Sequence, residues 1–142
     1  MLHIPARFAA RVGRRGDALL FFALLDLTYA LSLFQPPAET RLSPTLAFIR
    51  QVLPLPVWGG LWAAVGVGCL VGAFMYRDRW AFTAAVVLKV LWGATFLGGW
   101  IFVHLERGWL SAVIWLVLAR FVHRIGSWPE PGGRPRDEAA DG

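Results

Sequence analysis

Four apolar stretches, separated by short segments rich in arginine and proline, constrain this chain more than any other feature. They run over about 18–34, 56–76, 80–103 and 109–122, each near the 17–25 residues that a membrane-spanning helix needs. Pro36 and Pro37 end the first, because proline lacks the N–H that a continuing helix requires. Pro56 suits the first turn of the second, and Asp17 and Asp78 stand where helix N-caps would precede the first and third. Arg120 lies late in the fourth, where a long stem can carry its charge to the interface. None of the four has a continuous polar face, so a water-soluble bundle is a poor account of them. With 57% hydrophobic and 16% charged residues in 142, the chain is too apolar for a small soluble core. The expected fold is all-α: a polytopic membrane protein with four transmembrane helices in an antiparallel bundle.

The net charge of +5 has its own placement. Ten arginines flank the first span, join the second to the third, or lie at and after the end of the fourth. Only Arg41, Arg50 and Arg107 fall on the opposite side. The positive-inside rule therefore predicts an inner (cytoplasmic) membrane protein with both termini cytoplasmic. The same placement makes the lipid bilayer the expected partner of the basic residues, and nucleic acid is not expected. Trp58, Trp80, Trp100 and Trp109 fall near span ends, where indole rings favour the interface. The basic start with its apolar run could be mistaken for a signal peptide. The aspartate within that run, and the lack of a clean small-residue cleavage site, predict a retained anchor.

The remaining segments divide the chain simply. Residues 1–16 form a basic cytoplasmic segment, in which 5–12 predict a short surface helix with Phe8 and Val12 down and Arg7 and Arg11 toward headgroups. Residues 17–126 hold the four spans. Ser43-Pro44 and the helical spacing of Leu46, Ile49 and Leu53 predict a short outer interfacial helix over about 44–53. Residues 127–142 are rich in Pro, Gly and charge and are expected to be disordered.

Catalytic signatures are missing: there is no HExxH, GxSxG, CxxC or phosphate-binding glycine loop. The chain is not expected to be an enzyme, and no cofactor or metal is expected. His3 and His123 belong to the inner side and His104 to the outer, so they cannot share an ion. The lone Cys69 reads as a small hydrophobe. The RDR of Arg77, Asp78 and Arg79 reads as an inner anchor with an N-cap.

Two features stand out within the spans. Asp26 and Lys89 are charges in apolar helices, each costing about 2.5–3.5 kcal/mol at a helix centre. Asp26 is nine residues past Asp17 and Lys89 nine past Trp80, each roughly 13–14 Å deep at 1.5 Å per residue, so the two can meet. Ala85 and Gly93 on the Lys89 face and Ala30 on the Asp26 face are small enough to admit a neighbour, and Tyr29 could support the pair with a hydrogen bond. Two roles stay open: a proton relay or permeation lining, for which Thr28, Ser32 and Thr95 are the further polar groups at hand, or a bridge that fixes how two helices pack. The second feature is a stripe of small residues at every fourth position, Gly60, Ala64, Gly68 and Gly72. It would let two backbones approach, within the chain or in a homo-oligomer.

The segments YRDRWAF at 76–82, LKVLWG at 88–93 and SAVIWL at 111–116, with the charged tail, carry a resemblance that covers most of the chain. It resembles small four-span membrane proteins of high-GC Gram-positive bacteria and their phages, some of them holin-like. That resemblance implies an oligomerising membrane permeabiliser. A small transporter or its subunit using Asp26 and Lys89, and a non-conducting scaffold or assembly factor, are the alternatives.

Overall fold

A computed structural model describes residues 6–75 and 77–129, with backbone alone for 6–12. Five helices follow in order: α1 Ala6–Phe34, α2 Pro44–Val52, α3 Leu55–Gly72, α4 Arg79–Val103 and α5 Gly108–Gly126. A single 3-10 turn, Thr40–Leu42, precedes α2. Four segments are long and apolar enough to cross a membrane, at Gly13–Phe34, Leu55–Gly72, Arg79–Val103 and Gly108–Gly126. Buried residues make up only 28–39% of their most apolar windows. The rest of each window faces outward although it is apolar; Leu24, Phe102 and Val117 are more than 60% exposed. A surface of that kind is suited to lipid rather than water. The chain is thus an all-helical polytopic membrane bundle.

Local chemistry explains where these helices begin and bend. At Gly13 the backbone takes φ 50°, ψ 179°, a conformation open almost only to glycine, and the kink separates the helical backbone of 6–12 from the spanning part of α1. The predicted surface helix therefore has its backbone counterpart, while its side chains lie outside the described residues. Of the tail predicted to be disordered, 127–142, Ser127 and Trp128 form a hydrogen-bonded turn after α5, and 130–142 lie outside the described residues. Asp17 does not cap the first span, because helix already precedes it. Ser43 does cap α2, its Oγ accepting from Leu46 N at 3.2 Å beside Pro44 in the first turn. Leu46 and Ile49 then bury the apolar face of α2 against the bundle.

The four long helices form two intimate antiparallel pairs, α1 with α3 and α4 with α5, joined chiefly where α3 meets α4. Glycines set the closeness. A Cβ added at Gly66 would lie 2.8 Å from Leu27 Cγ and 3.1 Å from its backbone N; one at Gly93 would lie 3.0 Å from Leu116. Two apolar clusters fill the interior. One, at the end where α1 begins and α5 finishes (the proximal end), holds Leu19, Phe22, Cys69, Phe82 and Val122. The other, toward α2 and the α4–α5 turn (the distal end), is built on Trp58, Trp62, Trp92 and Phe96.

The predicted stripe on α3 does not lie along one packed face. Gly60 has nothing within 4 Å of its would-be Cβ and Ala64 is exposed, whereas Gly68 meets the Trp80 ring and Gly72 would strike Ala81 Cβ at 2.7 Å. Strict four-residue spacing turns about 40° per step around a 3.6-residue helix, so the row begins outside and ends inside. The packed face is instead Trp58, Gly59, Trp62, Gly66, Cys69 and Gly72, mixing steps of three and four.

This contrast sets a test. Gly66→Ala should destabilise the bundle by about 1–3 kcal/mol, because the methyl group is driven toward backbone as well as a side chain. Gly60→Ala should change stability by less than about 0.5 kcal/mol. Unfolding of the detergent-solubilised protein by sodium dodecyl sulfate, followed by circular dichroism, distinguishes the two; equal losses would contradict the packing described.

Candidate functional site: a buried ladder of polar pairs

Among the described residues, polar contacts join α1 to α4 and its N-cap at three levels. Arg15 Nη2 donates to Asp78 Oδ1 at 2.6 Å. Lys89 Nζ donates to both oxygens of Asp26, at 2.7 and 3.0 Å. Trp92 Nε1 donates to Tyr29 Oη at 3.2 Å. All three join residues 63 apart in sequence. A constant offset at successive levels means that α1 and α4 run parallel and in register. On each helix the rungs are separated by eleven and then three residues, which returns the chain to one face after about three turns and about 16 Å of rise.

Alternating crossings already make α1 and α4 parallel, and the order of charges suits that orientation. Starting from the proximal end, α1 presents Arg15 and then Asp26, and α4 presents Asp78 and then Lys89. Parallel alignment places opposite charges together at both levels. Antiparallel alignment would set Arg15 by Lys89 and Asp26 by Asp78, with repulsion at both.

At the middle rung neither Asp26 nor Lys89 has any solvent-exposed surface. The pair lies between the two apolar clusters, flanked by Ala23 and Ala30 on α1 and by Ala85 and Trp92 on α4. The Lys89 ammonium also stands 5.4 Å from the Trp62 ring centroid and 5.6 Å from that of Phe22. The negative faces of such rings favour a desolvated cation. Asp26 and Lys89 thus meet as their matched depth predicts.

Other expected participants have different roles. Tyr29 Oη accepts from Trp92 and does not reach the ion pair; its ring lies 4.5 Å from Trp62 and 5.1 Å from Trp115. Ser32 and Thr95 donate back to Tyr29 O and Leu91 O of their own helices. They do not extend the pair into a polar path. Trp58 is fully buried rather than interfacial: its Nε1 donates to Ile49 O at 3.3 Å and ties α2 to α3. Trp80, Trp100 and Trp109 remain about half exposed.

Sequence reasoning missed the proximal rung. Asp78 occupies the N-cap position of α4, but its carboxylate makes no capping bond and turns to Arg15 instead. The Arg15 guanidinium also donates through Nη1 to Trp128 O at 2.8 Å and lies 5.2 Å from the Phe82 ring centroid. One buried arginine therefore joins the starts of α1 and α4 to the end of α5. The available signal was the shared eleven-residue spacing of 15 to 26 and 78 to 89. Among the described residues no group of three His, Cys, Asp or Glu side chains is placed to hold a metal.

Removing one partner of such a pair strands the other, which typically costs 3–5 kcal/mol, whereas replacing both with apolar residues is often neutral. Asp26→Asn and Lys89→Met should each destabilise the bundle by about that amount, and Asp26→Leu with Lys89→Met by much less. Additive losses in this double-mutant cycle would show that the two residues do not depend on each other.

Comparison with protein-family models, with curated proteins and with solved structures finds no match to this chain.

Proposed function

We propose that this polytopic bundle is a non-conducting membrane scaffold or assembly factor, in which the polar ladder is architectural. The observation that carries the reading is the closure of the middle rung. Both side chains are without exposed surface, both carboxylate oxygens accept from the same ammonium, and aromatic rings occupy its other sides. A charge that carries protons or ions must exchange with water or with further polar groups along a route. The nearby hydroxyls of Ser32 and Thr95 are instead engaged with their own backbones. The orientation that accompanies this reading has both termini cytoplasmic in the inner membrane, supported by the arginine asymmetry.

A second reading, the holin-like one, draws on a different observation. Gly60 and Ala64 stay open on the outer face of α3, where a second copy could approach closely. It requires self-association and leakage, neither of which the scaffold reading needs.

Full-length protein reconstituted in liposomes separates these functions. The scaffold reading expects proton flux and release of a trapped dye no faster than from protein-free liposomes. Dye release that disappears on Gly60→Ile would establish the permeabiliser. Proton flux abolished in a folded Asp26→Leu, Lys89→Met variant would establish the relay.

A further inference from the structure

At the proximal edge of α5, Arg120, His123, Arg124, Ser127 and Trp128 line a cavity of about 320 Å³. Two of these five residues are arginines, a third is a histidine, and none is acidic. On α5 Arg120 and Arg124 stand at positions i and i+4, a like-charge arrangement that weakens a helix unless an anion joins it, and His123 lies beside them. A basic final turn is often explained by free helix-end carbonyls. Here the carbonyls of His123, Arg124 and Ile125 have donors: Ser127 N bonds to His123 O and Arg124 O, Trp128 N to Ile125 O, and Ser127 Oγ to Arg124 O. The side-chain cations are left facing the cavity.

The cavity is also held in shape. Trp128 O accepts from the buried Arg15 at 2.8 Å, and Arg15 is in turn fixed by Asp78. Above the cavity, the same outward face of α5 continues as an apolar track of Val113, Val117 and Phe121, each at least half exposed. Val122 and Ile125 turn the opposite face inward.

A cationic cavity at the edge of a membrane bundle, continued by an apolar track along the spanning direction, has the form of a lipid. The geometry points to a site for an anionic phospholipid, with its headgroup phosphate among Arg120, His123 and Arg124 beside Trp128 and an acyl chain along Val113, Val117 and Phe121. The shared chemistry is a phosphate anion. The apolar track identifies the lipid, rather than free phosphate, as its source.

Native mass spectrometry of the full chain released from nanodiscs of mixed phosphatidylcholine and phosphatidylglycerol tests this. The parent protein should retain phosphatidylglycerol selectively. Arg120→Gln with Arg124→Gln should weaken retention by roughly 25-fold, about 5-fold for each arginine near the surface. Arg120→Lys with Arg124→Lys should keep most of it. Arg14→Gln with Arg77→Gln removes the same charge from the same end outside the cavity, and should change retention far less. Equal losses from the two glutamine pairs would reduce the effect to general surface attraction and overturn the site. Retention of inorganic phosphate by protein from pure phosphatidylcholine discs would overturn the lipid assignment. Unchanged circular dichroism of the variants shows that any loss is of the lipid and not of the fold.

Discussion

An ammonium and a carboxylate at the middle of a hydrocarbon layer are tolerable only in each other's company, and the arrangement of α1 and α4 follows from that. Each of these helices buries most of its packed surface against a different partner, α1 against α3 and α4 against α5. Between the two pairs, lipid tails compete on nearly equal terms with apolar side chains, because no water is released when such surfaces meet. Apolar contact alone therefore gives little preference for one mutual rotation or axial register. The Asp26–Lys89 bond at 2.7 Å supplies it, and Arg15–Asp78 fixes the same register three turns away.

Two kinds of packing surround this ladder. Within each helix pair, glycines bring backbones close, as at Gly66 against Leu27 and Gly93 against Leu116. Between the pairs the gap is wider, and indole rings fill it: Trp58, Trp62 and Trp92 are all fully buried and meet edge to face. Filling the gap with rings excludes water, and a lower local dielectric strengthens the ion pair beside them. The arrangement leaves one cost in place. Trp62 Nε1 is buried with no hydrogen-bond partner, a penalty of about 1–3 kcal/mol. The ring that carries it also faces the Lys89 ammonium and lies tilted against Tyr29, so its apolar and quadrupolar contacts offset the unpaired N–H.

How much of this was legible depended on the range of the interaction. Span number and type could be read from apolar length, since the bilayer imposes it locally. The start of α2 could be read from Ser43-Pro44 for the same local reason. Matching depth located Asp26 opposite Lys89 because both helices begin at one end. The stripe of small residues is only partly a packing face within the chain, because four-residue spacing is not a straight line: the helix turns it from the open side at Gly60 to the interior at Gly72. Asp78 reads as an N-cap because an aspartate before a helix is ordinarily satisfied by that helix. Its true partner lies 63 residues away, beyond any local pattern. Trp58 was assigned to the interface by its position near a helix end, but position along a helix does not give the face from which the ring projects.

Connectivity sets the two charged levels at different depths. Asp78 follows α3 by a short connection and lies at the proximal end, where Arg15 stands. Lys89 lies three turns further along α4, at the level of Asp26. Ions are less costly near the membrane edge than at its centre, so the proximal pair holds the register at the smaller penalty. The same offset of 63 residues then satisfies the central pair as well, and one alignment of α1 with α4 serves both levels.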